Sequence, residues 1–222
     1  MLLNRRDRQW SLGLLLCTVW VMIHTTSHAN QPVPPPGAVK QFAAAVQTQD
    51  METLLTVFRQ IGQQDTKEAV LAIVYAGLSE SVFAGLNVEQ TQQVLQTARE
   101  VLTDMTDKRA WKATYKATYK HPDWQVRVML LDVVQTRLPD AKRAEKAVMK
   151  AIGDSTDAVA IKAIEMAGAF NLKRTVPKLM QMVIAKWGQH VGVSAAKATL
   201  ALEKITGTTE PDGWHAWVNQ NL

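Results

Sequence analysis

The sequence predicts an all-α fold, an α-solenoid of short antiparallel helix pairs, on three observations. From Ala38 onward apolar residues recur at spacings of three and four, which gathers them on one face of a helix. Prolines fall at the boundaries of these periodic runs: Pro122, Pro139, Pro177 and Pro211 each sit near a helix start, where the missing N–H has no intrahelical partner anyway. The C-terminal half also repeats itself. Val126, Leu130 and Val134 match Val159, Ala163 and Ala167 at an offset of 33, and Ser194, Ala198 and Leu202 follow at a further 35. Two short helices per copy cannot bury their apolar stripes alone, and stacking the copies buries them together. Eleven glycines without hairpin-type turns between alternating strands argue against an all-β fold.

In chain order, the first segment reads as an address. Arg5, Arg6 and Arg8 precede an uncharged stretch from Ser11 to Ile23, and Ser27-His28-Ala29 places small residues at the −3 and −1 positions of a cleavage site. This is the layout of a signal peptide over residues 1–29. The uncharged stretch is shorter than the roughly 20 residues that span a bilayer. Cleavage after Ala29 leaves 22 basic and 19 acidic side chains and removes Cys17, the one cysteine of the chain. No disulfide framework and no cysteine-built zinc site is then available. Residues 30–37, with Pro32, Pro34, Pro35 and Pro36, read as an extended spacer.

Eleven helices follow, at 38–48, 50–62, 66–84, 88–106, 108–120, 123–137, 140–152, 156–170, 174–187, 192–206 and 211–221. Val126, Met129, Leu130, Val133 and Val134 mark one apolar face, and Val176, Leu179, Met180 and Val183 another. Residues 38–120 form a less regular helical region, where Ala72, Ala76 and Gly77 mark one irregular copy, and residues 121–222 hold the regular repeats with a C-terminal cap.

The run from Asp157 to Gly168, with its apolar, Ala, apolar-Gly rhythm, resembles the first helix of a HEAT-like repeat. Val126-Arg127 resembles the pair that often opens that helix, and Ala196 to Gly207, followed by Trp214-His215-Ala216-Trp217, is similar to the C-terminal end of many exported bacterial HEAT-repeat proteins. The pattern is broken at Ala160, which lacks the Arg, and at Ser194, where an apolar residue is expected. The resemblance implies a binding scaffold and carries no chemistry of its own.

Catalytic signatures are missing. His121, His190 and His215 stand far apart, with no His or carboxylate at metal-binding spacing, and are read as surface or turn histidines. No nucleophile elbow, phosphate loop or dinucleotide fingerprint occurs, so the expectation is a non-enzymatic protein without cofactor or metal. Glu165 and Asp132 read as solvated helix faces, Trp214 and Trp217 as a cap over the end of the stack, and Met180 and Met182 as core filler and flank.

Charge is the informative feature left. Residues 30–107 carry four basic and nine acidic side chains, residues 108–197 carry 17 and seven, and the last 25 carry one and three. Within the basic block Lys112, Lys116 and Lys120 recur every four residues, and Lys142, Lys146 and Lys150 do the same, so each trio lines one helix face. Lys178 and Lys186 join them if the second helices of successive repeats share a surface. A lysine face that only keeps the stack soluble is the plain reading. The functional one is a patch for an anionic partner: a protein with an acidic surface, or an anionic envelope polymer or membrane surface. Tyr115 and Tyr119 would suit stacking on nucleic acid, but an export signal argues against that partner. The expected location is the periplasm or the outside of the cell.

Overall fold

Several helices start where the sequence supplies a side-chain cap. Asp50 accepts hydrogen bonds from the backbone N–H groups of Glu52 and Thr53, and Asn87 and Gln90 form a reciprocal capping box. Asp107 and Asp123 cap two further starts. The computed structural model describes residues 32–48, 50–138, 142–185 and 192–222. The signal-peptide reading of residues 1–29, and with it Pro139, Lys186 and His190, lies outside the described residues.

Twelve α-helices occur among the described residues: α1 (Pro36–Gln47), α2 (Met51–Gly62), α3 (Lys67–Ala72), α4 (Glu80–Phe83), α5 (Val88–Asp104), α6 (Lys108–Ala117), α7 (Trp124–Gln135), α8 (Lys142–Ala151), α9 (Asp157–Ala169), α10 (Val176–Ala185), α11 (Val193–Thr206) and α12 (Pro211–Asn221). A 3-10 turn, Lys173–Thr175, leads into α10. Val33–Leu222 form one unit.

Helix α2 packs on α5, α5 on α7, α7 on α9 and α9 on α11, which makes a first layer. A second layer runs α3, α6, α8, the 3-10 turn before α10, and α12 against α10. Between layers α6 meets α7, α8 meets α7 and α9, and α10 meets α11. This is an α-solenoid-like stack of short helix pairs.

Helix α7 shows why the stack holds. Val126, Met129, Leu130 and Val133 join the apolar cluster built from α1 to α7, whereas Leu131 and Val134 join the cluster that continues to α12. A helix between two neighbours has to be apolar on more than one face. Burying one such aliphatic side chain is worth about 1.5–3 kcal/mol. Close approach also depends on residue size: a Cβ added to Gly168 of α9 would lie 3.1 Å from the Cα of Ala201 in α11.

The N-terminal part is less regular. The periodicity over 66–84 predicts one helix, but α3 gives way at Ile73–Gly77 to a π-helical turn, in which Leu78 N–H donates to Ile73 O, and α4 follows as a separate short helix. The reason is tertiary. The rings of Phe42 and Phe58, 4.8 Å apart, press into the space a side chain on Gly77 would take, with atoms 2.6 and 2.8 Å from where its Cβ would be. The layering nevertheless continues through α2, α3, α5 and α6. Helix α1 begins at Pro36, inside the predicted spacer, because proline is suited to the first turn.

Candidate functional site

Helices α6 and α8 lie side by side in the second layer. Each turns small residues inward: Ala110, Thr114 and Ala117 on α6, and Ala144, Ala147, Val148 and Ala151 on α8. Each turns cations outward. Lys108, Arg109, Lys112 and Lys116 are all exposed on α6, as are Lys142, Arg143, Lys146 and Lys150 on α8.

Lys108–Ala117 and Lys142–Ala151 are two copies of one pattern, Lys-Arg-Ala-x-Lys-Ala-x-x-Lys-Ala, with seven of ten positions identical at an offset of 34. Alignment on the first helices of the repeats, at offsets of 33 and 35, misses it. The signal that reveals Lys108, Arg109 and Arg143 is a comparison of the second helices with one another.

Of the lysines singled out from sequence, Lys112 and Lys116 lie on α6, and Lys142, Lys146 and Lys150 on α8. Lys120 lies beyond the end of α6, in a turn held by its N–H donating to Ala117 O, so it leaves the helical row. Lys178, near the start of α10, is half-buried and crosses Gly153, where an added Cβ would stand 3.3 Å from its Cε.

The two layers differ in electrostatics. In the first layer Lys162 of α9 pairs with Asp132 of α7 at 2.6 Å, and Lys197 of α11 pairs with Glu165 of α9 at 2.8 Å. Asp132 and Glu165 are therefore links in a ladder between helices rather than merely solvated. Among the described residues no carboxylate pairs with any of the eight cations of α6 and α8. Glu145, the one acid within these two helices, faces Arg174 instead, with Oε2 3.9 Å from Nε.

Placement of the cations works against stability. Lys108, Arg109, Lys142 and Arg143 occupy first turns, where the helix dipole disfavours positive charge by about 0.3–1 kcal/mol each. Lysines four residues apart also repel one another.

The aromatic residues of this region are engaged in packing. Trp111 is buried, and its Nε1–H donates to Met105 O at 2.6 Å while the guanidinium of Arg137 lies 4.4 Å from its ring. Tyr115 stacks at 5.5 Å on Trp111, and burial pushes its hydroxyl pKa up. Tyr119 is half-buried, with Lys150 Nζ 4.3 Å from its ring centroid.

His121 and Arg127 have structural tasks. His121 does lie in a turn, but it is not at the surface: it is only 4% exposed. Its Nδ1 accepts the Asp123 N–H at 3.2 Å, so Nε2 carries the proton and donates to Val74 O at 3.0 Å. Burial lowers its pKa below the usual histidine value. Arg127, also buried, grips Asp154 with two nitrogens, each at 2.8 Å, and donates to the carbonyls of His121 and Pro122. Nearby, the buried hydroxyl of Tyr75 has no hydrogen-bond partner among the described residues, and burial raises its pKa to about 12.

Trp214 is fully buried, with Nε1–H donating to Thr208 O at 2.8 Å, and Trp217 packs half-buried against the last core cluster. That geometry closes the end of the stack. A depression of about 450 Å³ beside α5 is lined by Gln96, Arg99, Glu100, Thr103, Asp104 and Thr136. Among the described residues no three His, Cys, Asp or Glu side chains cluster to hold a metal, and no helix is long and apolar enough to cross a membrane. No protein-family model matches the chain, and no curated protein matches it either.

Proposed function

We propose that this protein is a non-enzymatic interaction scaffold, an exported stack of HEAT-like helix pairs that holds a protein partner by its acidic surface. The observation that carries this reading is the contrast between layers: eight exposed cations on α6 and α8 that meet no carboxylate among the described residues, against Lys162 of α9 and Lys197 of α11, each paired from helix to helix. A charge pattern that does not serve the fold is available for a partner. Export rests on the basic start, the apolar run and the Ser27-His28-Ala29 sequence.

A second reading is an anionic envelope polymer or membrane surface. It is supported by the lack of large exposed apolar residues on α6 and α8, which leaves charge as the main attraction.

The test compares capture from an envelope fraction by the wild-type protein and by the double variant Lys146→Glu, Lys150→Glu, at two salt concentrations. Exposed charges are screened over about 8 Å at physiological salt. A stoichiometric protein partner that is lost in the variant and weakened by salt supports the scaffold. Retention on anionic vesicles or wall polymer, with no protein captured, replaces it with the second reading. Equal, salt-independent capture by both proteins leaves these lysines as a solubility face.

A further inference from the structure

The two copies of the basic pattern put cations at matching positions of neighbouring helices. Lys108, Lys112 and Lys116 form one row, and Lys142, Lys146 and Lys150 the other. Residues four apart on a helix are displaced by about 6 Å along its axis. Packed helices lie about 8–10 Å apart. Matched by their shared pattern, the rows give three rungs: Lys108 with Lys142, Lys112 with Lys146 and Lys116 with Lys150. The contact of Lys150 with Tyr119, just past the end of α6, brings the far ends of the two helices together.

We infer that the partner segment is an acidic α-helix, with Asp or Glu at three positions four residues apart, lying along the trough between α6 and α8. This rests on the scaffold reading above and gives the partner a form. Carboxylates spaced about 6 Å over two steps match the rungs, and one such row above the trough can reach both lysine rows. A helix also satisfies its own backbone. The sides of α6 and α8 offer no free N–H or C=O groups to an extended segment, whose backbone would have to find partners elsewhere. No large apolar side chain is exposed on either helix, so the partner presents its charged stripe and not its apolar one.

The experiment uses the full chain and two labelled helical peptides of the same composition. One carries Glu at three positions four apart, and the other spreads the three Glu residues around the helix. Binding is read by fluorescence anisotropy at low and at physiological salt. The striped peptide is expected to bind at least tenfold more tightly than its isomer. Lys112→Glu with Lys146→Glu, the middle rung, should lose that advantage, while Lys40→Glu with Lys67→Glu, exposed on α1 and α3, should stay within twofold of wild type. Melting curves followed by circular dichroism confirm that the variants fold. Equal binding of the two peptides overturns the helical register, and displacement of the striped peptide by polyphosphate or phosphatidylglycerol vesicles at equal charge overturns the acidic helix as ligand. Failure of the striped peptide, while a captured protein still depends on Lys146 and Lys150, sinks this inference alone. Failure of both sinks the scaffold reading with it.

Discussion

His121 closes a gap that Val74 opens. Within the π-helical turn Leu78 N–H reaches back to Ile73 O, so the next carbonyl along, Val74 O, is not taken by that donor. His121 Nε2–H, 47 residues further on, donates to it at 3.0 Å. A local break in one helix is thus satisfied from the turn between α6 and α7, which ties neighbouring repeats together.

Acid should loosen this tie. A second proton on the ring would break the hydrogen bond that Nδ1 accepts from the Asp123 N–H. The folded-state pKa lies below the unfolded value, chiefly through burial, with the Asp123 carboxylate opposing the shift and Arg127 adding to it. The unfolded chain then binds more protons, so the contribution to stability is complete above the unfolded pKa and falls as pH drops towards the folded one. The slope approaches about 1.4 kcal/mol per pH unit between the two values. Urea unfolding at pH 7.5 and 5.5 should show a larger loss for wild type than for His121→Gln. An equal loss in both would place the acid sensitivity elsewhere.

Gly77 and Gly37 should respond to alanine with opposite signs. At Gly77 the new methyl meets the rings of Phe42 and Phe58, and the overpacking should destabilise by about 1–3 kcal/mol. Gly37 has open space around it in the first turn of α1, and Gly37→Ala should stabilise by about 0.5–1 kcal/mol. Chemical denaturation of the two variants checks both.

Ala163 and its neighbour Lys162 divide buried from bridging. Ala163 is fully buried between α9 and its neighbours, so Ala163→Glu should cost about 3 kcal/mol or more through overpacking and an unpaired charge. Lys162 is 29% exposed and paired with Asp132. Lys162→Glu should therefore cost about 1 kcal/mol, by losing the pair and setting two carboxylates together, and Lys162→Gln less. Thermal melts of the three variants rank them, and equal costs for Ala163→Glu and Lys162→Glu would contradict the packing.

The first-turn lysines should show stability and binding moving apart. Lys108→Glu and Lys142→Glu each replace a cation with an anion at the positive end of a helix dipole, which should raise stability by about 0.3–1 kcal/mol. The same changes should weaken capture of the anionic partner, mostly through slower association. Denaturation and surface-binding kinetics on the same samples measure both, and a loss of stability in either variant would mean that these lysines serve the fold.

Much of this was legible because helices announce themselves locally. The spacing of Val126, Leu130 and Val134, and of their counterparts in α9, reports which face is buried, and the starts of α5 and α6 coincide with those predicted, at residues 88 and 108. What failed was what two distant segments decide together. His121 was read as a surface or turn histidine, and its burial went unseen because Val74 is 47 positions away. Arg127 was legible only as part of the Val126-Arg127 dipeptide, since its partner Asp154 lies 27 residues on. Lys120 fell off its row because α6 stops at Ala117.

By itself, then, the sequence determined the helical class, most helix boundaries and the concentration of positive charge between residues 108 and 197. These follow from periodicity, capping and composition, each of which acts within a few residues. Only the tertiary structure decided that α6 and α8 stand side by side, that Lys162 and Lys197 are paired across the first layer while, among the described residues, the cations of α6 and α8 meet no carboxylate, and that α3 gives way to a π-helical turn at Ile73–Gly77. Those outcomes depend on which side chains meet through space, and a charge or a methyl group has its effect on whatever packs against it.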